Sequence, residues 1–516
     1  MTLNSLIPAP VSCSRLPGEF VFDEHTAVHA VPGAEPAADL LRDLFASSRY
    51  RLPPAPEGAA DITIRLHIDP GANPESYSLH VTPERVRIVA VTVRGAMHAV
   101  QTLRQLLPDA AFRPDPPDDL RWQAPCVLIN DAPRSSWRGA MLDVARHFMP
   151  AGFLLRFVDL LASHKFSTLH LHLTDDQGWR LEIAKYPLLT ETGAWRAGTM
   201  IGHKDDQRVG HGRHDEVPHG GYYTAAQIRE IVTHAATRGI TVVPEIDMPG
   251  HMQAAIAAYP WLGNTERRLS VATGWGPSEH VLNVTDRTLA FCRDVLEEVV
   301  TLFPSRCVHI GGDECSTAEW RSSAPAQARI SELGLSDENA LRGWFISRVA
   351  EFVVAQGRRP VVWDEMVDVG LPDEAMVMSW RGERGGVTAA RLGHDVIMAP
   401  STHTYFDQYQ SSDPSTEPLA AGGLLDLAAV YGYEPIPIEL EPRYHHRLLG
   451  SQFQIWTEYI RTPSQVEYMS FPRACAVADV LWNPRHDLGD FKRRLAGHLG
   501  RLRGLGINYR SDDDPA

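Results

Sequence analysis

The stretch WRGAMLDVARHFMPAGFLLRFVDLLASHKFSTLHLHLTDD, residues 137–176, contains one complete unit of a repeating architecture. Its first apolar run, Gly139–Val144, is short and bounded by polar residues, as a fully buried strand is. Phe153–Ser163 then carries apolar residues at helical spacing, and Thr168–Leu173 is a second short run. Strand, helix and strand in this order predict a crossover unit with two parallel strands.

The same rhythm continues downstream. Short runs recur at Thr241–Ile246, Cys307–Ile310, Pro360–Trp363, Met376–Trp380, Val396–Ala399 and Gln452–Trp456. Helical stretches such as Ala225–Arg238, Leu289–Leu302 and Ala340–Ala355 lie between them. Eight runs alternating with helices predict an α/β fold closed into a (β/α)8 TIM barrel over residues 131–510. A doubly wound sheet is the alternative, and it usually has fewer repeats.

Upstream, residues 1–130 read as a small α+β domain, an antiparallel sheet with helices on one face. Glu19–Val31 reads as a strand and Ala37–Ser48 as a helix. Ile62, Ile64, Leu66 and Ile68 alternate with period two, and Tyr77–Thr82 and Val86–Val91 form a hairpin around Pro83-Glu84-Arg85. Gly95–Leu107 returns to helix. Pro108–Pro117 holds four prolines and no apolar period, so it reads as a linker. The segment 511–516 is an acidic tail.

Composition narrows the function. The formal net charge of −15 disfavours nucleic acid and anionic membranes, which need a basic face. No stretch approaches eighteen apolar residues, so no membrane span is expected. The beginning lacks the charged start and apolar run of a secretory leader, which makes a cytoplasmic location the expectation. Six cysteines form no CxxC pair, so neither a disulfide framework nor zinc spacing is present. No metal or cofactor is expected; no Walker-type phosphate loop is seen.

In a barrel, chemistry sits at the carboxyl ends of the strands. The residues that follow the eight runs are Arg146 and His147; Asp175 and Asp176; Asp247 and His251; Asp313 and Glu314; Asp364 and Glu365; Arg381; Tyr405 and Asp407; and Glu458. The fifth, sixth and eighth runs end on Trp363, Trp380 and Trp456. Carboxylates, an arginine and several indoles on one face suit a sugar, because indole faces stack on pyranose C–H groups and charged groups bind hydroxyls.

These segments resemble glycoside hydrolase family 20, the β-N-acetylhexosaminidases. The matching stretches are Trp137-Arg138-Gly139 through Asp143, Arg146-His147, His172-Leu173-Thr174-Asp175-Asp176, Pro244 through His251, and His309-Ile310-Gly311-Gly312-Asp313-Glu314. Trp363, Trp380, Tyr405-Phe406-Asp407 and Trp456-Thr457-Glu458 follow in the expected order. The likeness covers roughly 133–510, and the preceding domain is similar to the one that precedes the barrel in this family.

The resemblance implies a retaining, exo-acting enzyme that removes terminal β-linked GlcNAc or GalNAc from an oligosaccharide or small-molecule substrate. Its nucleophile is the substrate's own acetamido oxygen, and the intermediate is an oxazolinium. It further implies Glu314 as general acid and then base, Asp313 as the group that orients the acetamide, and Tyr405 as a hydrogen-bond donor to it. Glu314 is expected to start protonated beside an apolar wall and a neighbouring carboxylate. Trp363, Trp380 and Trp456 would enclose the acetamido group. Arg146 and Glu458 would grip sugar hydroxyls, Asp407 the 6-hydroxyl, and Asp175 with His251 would relay to Glu314, with Asp247 in a weaker supporting place. Arg138 begins the first strand and should lie at the opposite rim in a structural role. Met252 and the loop carrying His203, His211, His214 and His219 depart from the family pattern and are expected to affect the aglycone side. A binding protein without catalysis, or a barrel glycosidase using two protein carboxylates, are the rival readings.

Overall fold

The computed structural model describes residues 5–208, 212–265, 267–484 and 487–511; His211 and the tail residues 512–516 lie outside them. The first six strands are β1 (Ser12–Val21), β2 (Val28–Ala30), β3 (Ile62–Leu66), β4 (Tyr77–Val81), β5 (Val86–Ala90) and β6 (Gln123–Asp131). They form one sheet in the order β1-β6-β4-β5-β3-β2. Pairings from β1 through β5 are antiparallel, whereas β5–β3 and β3–β2 are parallel. Ile62, Ile64, Val86 and Ile88 turn inward with period two and are fully buried. Helices α1 (Glu35–Leu44) and α2 (Val93–Gln105) cover this face. Thr92 caps α2 by accepting from Gly95 N–H.

Three sequence expectations are corrected here. Glu19–Val31 is two strands, not one. Asp23 Oδ1 accepts the backbone N–H groups of His25 and Thr26, both at 2.9 Å, and this turn breaks the chain between β1 and β2. The strand also begins earlier, on an exposed edge whose register shifts between Arg15 and Glu19. Pro108–Pro117 is not a bare linker: Asp109–Phe112 is a short 3₁₀ turn with Ala111 and Phe112 buried, and the chain returns to the sheet as β6.

The barrel is closed by β7 (Trp137–Asp143), β8 (Thr168–His172), β9 (Thr241–Glu245), β10 (Cys307–His309), β11 (Arg359–Trp363), β12 (Met376–Ser379), β13 (Val396–Met398) and β14 (Leu448–Ile455). Each pairs in parallel with its neighbours, and β14 returns to β7. All eight apolar runs are therefore strands. Their residues are almost all buried because helices cover the outside and side chains fill the inside. Good caps start the helices: Thr224 and Gln227 make a reciprocal capping box, and Asp337 accepts from Ala340 N–H. Among the described residues, no helix is long and apolar enough to cross a membrane.

The sheet domain docks under the amino-terminal ends of the strands. Arg138, 1% exposed, bonds to Glu75 Oε2 at 2.5 Å, to Lys165 O at 2.8 Å and to Ser135 O at 2.6 Å. Lys165 in turn bonds to Asp131 Oδ2 at 3.0 Å and to the Tyr77 hydroxyl at 2.9 Å. The opposite end of the barrel is thereby left free for loops.

Candidate active site

The loops at the carboxyl ends of the strands enclose one cavity. The residues to which the resemblance gave a catalytic or sugar-binding role line it together with Asp247: Arg146, Asp175, His251, Asp313, Glu314, Trp363, Trp380, Tyr405, Asp407, Trp456 and Glu458. His147, Asp176, Asp364, Glu365 and Arg381, which also follow barrel strands, are not on its wall.

The β10 loop does the most to shape it. Gly311 and Gly312 have φ of +71° and +104°, where a side chain is strained. A Cβ on Gly311 would sit 1.6 Å from Asp247 Oδ1, so only glycine lets the chain pass beside that carboxylate. This turn swings Asp313 and Glu314 back over the barrel mouth. Glu314 (φ +41°) and His251 (φ +55°) both hold the left-handed conformation that non-glycine residues seldom adopt. The sequence reading placed Glu314 against an apolar wall. Its side chain is instead 38% exposed and lines the cavity.

A chain of polar contacts runs from the barrel axis to Glu314. Glu245 Oε2 meets His172 Nδ1 at 2.5 Å, and His172 Nε2 meets Asp175 Oδ2 at 2.8 Å. Asp175 Oδ1 lies 3.2 Å from His251 Nδ1, and His251 Nε2 lies 3.6 Å from Glu314 Oε2 and 3.7 Å from Asp313 Oδ2. Burial disfavours charge on His251, but the carboxylates of Asp175 and Asp313 outweigh it and hold its pKa well above the usual value. Burial likewise works against the Asp175 anion. Arg146, at 2.9 Å, and His251 overcome it and keep that carboxyl well below the usual range.

Asp313 and Asp247 behave differently. Burial and then each other's charge push Asp313 well above the ordinary carboxylate range. Burial and the charge of Glu245 raise Asp247 to about 8. The two carboxyl groups lie close enough to share one proton, and two such groups titrate as a pair. Asp407 is raised to about 7, by burial and then by Glu458. Asp313 Oδ1, Asp407 Oδ1, Glu458 Oε2 and His251 Nε2 are buried and have no hydrogen-bond partner within the protein. A polar ligand would supply those partners.

The aromatic residues form a continuous wall. Trp363 and Trp456 lie 6.1 Å apart, Tyr405 and Trp456 6.2 Å, and Trp380 and Tyr405 stack at 6.1 Å. Each of two indoles is pinned from behind. Trp363 Nε1 donates to Glu245 Oε1 at 2.8 Å, and Trp380 Nε1 donates to Glu365 at 3.0 Å. Arg146 lies over the Trp456 ring at 5.0 Å and is fixed by Asp143 and Gln177.

Several residues were not found from the sequence. Glu245 is a hub in the barrel axis, contacted by His170, His172, His309 and Trp363. Its place in the strand gave no signal, because its partners come from three other strands. Lys204, Trp275 and Tyr459 also line the cavity from loops. The loop with the histidines is tied to the site: His203 stacks on Tyr459 at 5.4 Å, and Lys204 N–H donates to the Tyr459 hydroxyl at 3.1 Å. Met252, expected on the aglycone side, is 1% exposed and packs in the core instead, so its bulk does not reach the cavity. Cys315 is buried, and burial pushes its thiol up to about 12, which suits packing and not reactivity.

The comparisons with known proteins agree with this geometry. The family model for the catalytic domain of glycosyl hydrolase family 20 matches residues 136–485, and that for domain 2 of the same family matches residues 4–132. The chain is 38% identical to a β-hexosaminidase of Porphyromonas gingivalis over 98% of its own length and 64% of that protein's. It thus spans less than two thirds of that relative. Its fold matches a mutant β-hexosaminidase of Streptomyces plicatus in complex with product GlcNAc, at a TM-score of 0.86 and 33% identity, over 100% of this chain and 98% of that one. A GH20 exo-β-N-acetylglucosaminidase of Vibrio harveyi in complex with N-acetylglucosamine gives a TM-score of 0.84 at 32% identity, over 98% and 78%.

Proposed function

This chain belongs to glycosyl hydrolase family 20, and from that premise we propose that it is an exo-acting β-N-acetylhexosaminidase that releases terminal β-linked GlcNAc or GalNAc with retention of configuration. The observation that carries this reading is the wall of Trp363, Trp380, Tyr405 and Trp456 in one cavity with Asp313, whose Oδ1 is buried without a partner. Such a box suits an acetamido group: apolar around its methyl and polar at its N–H.

The reaction follows from that placement. The acetamide oxygen of the bound sugar attacks its own anomeric carbon while Glu314 gives a proton to the departing oxygen. An oxazolinium ring forms, with positive charge spread over the acetamide. Asp313 accepts the acetamide N–H and balances that charge, and Asp247 is the place where the pair's proton rests while it does so. Tyr405 donates to the acetamide oxygen. Holding the amide between indoles keeps it in attacking geometry and excludes water, and positioning of this kind is worth several kcal/mol. Water then attacks the anomeric carbon as Glu314 takes its proton, and the ring reopens. Arg146, Glu458 and Asp407 would bind hydroxyls of the same sugar, and the chain from Asp175 through His251 would hold the Glu314 side chain in place.

An aryl 2-acetamido-2-deoxy-β-glucoside and the matching aryl β-glucoside, which carries a hydroxyl in place of the acetamide, test the proposal. Release of the phenol from the first alone is expected, with tight competitive inhibition by a thiazoline that mimics the cyclic intermediate. Equal turnover of both would point to a protein nucleophile, and turnover of neither to a binding protein.

A further inference from the structure

The polar cluster at the barrel mouth has the donor set of a metal site. Asp247, His251 and Asp313 each offer a ligand atom, and these atoms lie within 4.8 Å of one another. We propose that these three residues, with Glu314 as a fourth arm, bind a borderline divalent transition cation such as Zn2+, and that the ion holds the site in competition with the sugar.

Geometry favours it first. Tetrahedral zinc with bonds of about 2.0–2.2 Å to nitrogen and oxygen sets its ligand atoms about 3.3–3.5 Å apart. His251 Nε2 already stands 3.7 Å from Asp313 Oδ2 and 3.6 Å from Glu314 Oε2, so a closure of a few tenths of an ångström brings each of these two pairs to ligand spacing. The second observation is independent of these spacings. His251 Nε2, Asp247 Oδ2 and Asp313 Oδ1 are all buried without a partner. The supporting contacts of a metal site are also in place. His251 turns Nδ1 to Asp175 Oδ1 at 3.2 Å, the carboxylate–histidine pairing that fixes an imidazole for metal binding, and the ion would replace the proton on Nε2, which leaves to solvent. Asp247 keeps its other oxygen on Gly312 N–H at 3.2 Å. One imidazole with carboxylates suits zinc, cobalt or nickel better than calcium or magnesium, which prefer oxygen alone.

Four other clusters among the described residues have ligand-like composition; two of them, His172-Glu245-Asp247 and Asp175-Asp176-His251, share Asp247 or His251 with this site, and their members already pair with one another. The other two stand apart from it. His164, Cys475 and His498 are sealed in the core, and their histidines are satisfied in series: Arg501 donates to His498 Nδ1 at 3.2 Å, and His498 meets His164 at 2.9 Å. The guanidinium there also repels a cation. His170, Glu245 and His309 lie in the barrel axis, where Glu245 is already saturated. The cluster at the mouth has Asp247, His251 and Asp313 all on the cavity wall, and neither of those two contributes a residue to it. Its ligands come from the ends of two different strands, which is why linear spacing gave no metal signature.

Metal binding itself does not depend on the hydrolase reading; only the competition with sugar rests on it. Zn2+ titrated calorimetrically into the sugar-free chain is expected to bind one ion per chain, and Co2+ to give the intense visible absorption of a four-coordinate site. Both Asp247→Asn and His251→Ala, checked for native circular dichroism, should weaken binding at least tenfold, and Cys475→Ser should leave it unchanged. In turnover assays Zn2+ should raise KM and leave kcat alone. Undiminished affinity in both site variants, loss in Cys475→Ser, or a fall in kcat at unchanged KM would overturn the proposal. A chain that hydrolyses hexosaminides and takes up no Zn2+ would sink this inference alone, whereas one that binds Zn2+ and turns over nothing would sink the hydrolase reading alone.

Discussion

The two ends of the barrel bury charge to the same degree and treat it in opposite ways. At the amino-terminal end, Arg138, Glu75, His98, Lys165, Asp131 and Tyr77 interlock across the junction with the sheet domain, and Trp482 Nε1 donates to Asp131 Oδ1 at 2.8 Å. At the carboxyl end, Asp247, His251, Asp313, Asp407 and Glu458 each keep a buried atom without a partner. A buried polar group left unpaired costs stability, on the order of 1–3 kcal/mol. Such groups gathered in one cavity mark the place where a ligand completes the network, whereas a saturated network marks architecture.

The sharpest way to break this contrast is to change one member at each end. Replacing Glu314 by Gln should lower kcat on an aryl N-acetylhexosaminide by about 10²–10⁴-fold, the usual contribution of a general acid, with a melting temperature close to the parent's. Stopped-assay kinetics beside a thermal melt check both halves. Replacing Arg138 by Met strands Glu75 in the junction and should cost about 3–5 kcal/mol of stability in denaturant unfolding, while the folded fraction keeps its kcat. A variant at the junction that loses kcat at full stability would erase the distinction.

The smaller effect is in the pH dependence of stability, where the two ends have opposite signs. Burial holds His98 down at about 4, below the ~6.5 of an unfolded histidine. The unfolded chain therefore takes that proton first, and stability falls as pH drops from about 6.5 toward about 4. Asp407 is raised to about 7, above the ~3.9 of an unfolded aspartate. Its contribution is complete below about 4 and is lost as pH rises through about 7. Melting temperatures across this range should decline less on the alkaline side in Asp407→Asn and less on the acid side in His98→Gln. Equal slopes in parent and variants would contradict the assignment.

Much of this was legible in the sequence, for a physical reason. A barrel strand is short, apolar and followed by its functional loop, so the order of runs and of the polar residues behind them carries the architecture of the site. What resisted reading lacks that periodicity. Strand β1 is an exposed edge with no apolar alternation, and β6 contains Pro125, which counts against a strand in a propensity reading. Glu245 sits within an apolar run, and only the closed barrel shows that it anchors both Trp363 and the contacts leading to Glu314. Lys204 and Trp275 reach the cavity from long loops whose course no local rule fixes.

The central claim is that the electrons displacing the leaving group come from the substrate's amide. Aryl β-glucosaminides bearing N-acetyl, N-fluoroacetyl, N-difluoroacetyl and N-trifluoroacetyl groups measure this directly, since each fluorine weakens the carbonyl oxygen as a nucleophile. kcat/KM should fall steeply and in order along the series. A flat series, with the trifluoroacetyl substrate cleaved as fast as the acetyl one, would place the nucleophile on the protein and contradict the account.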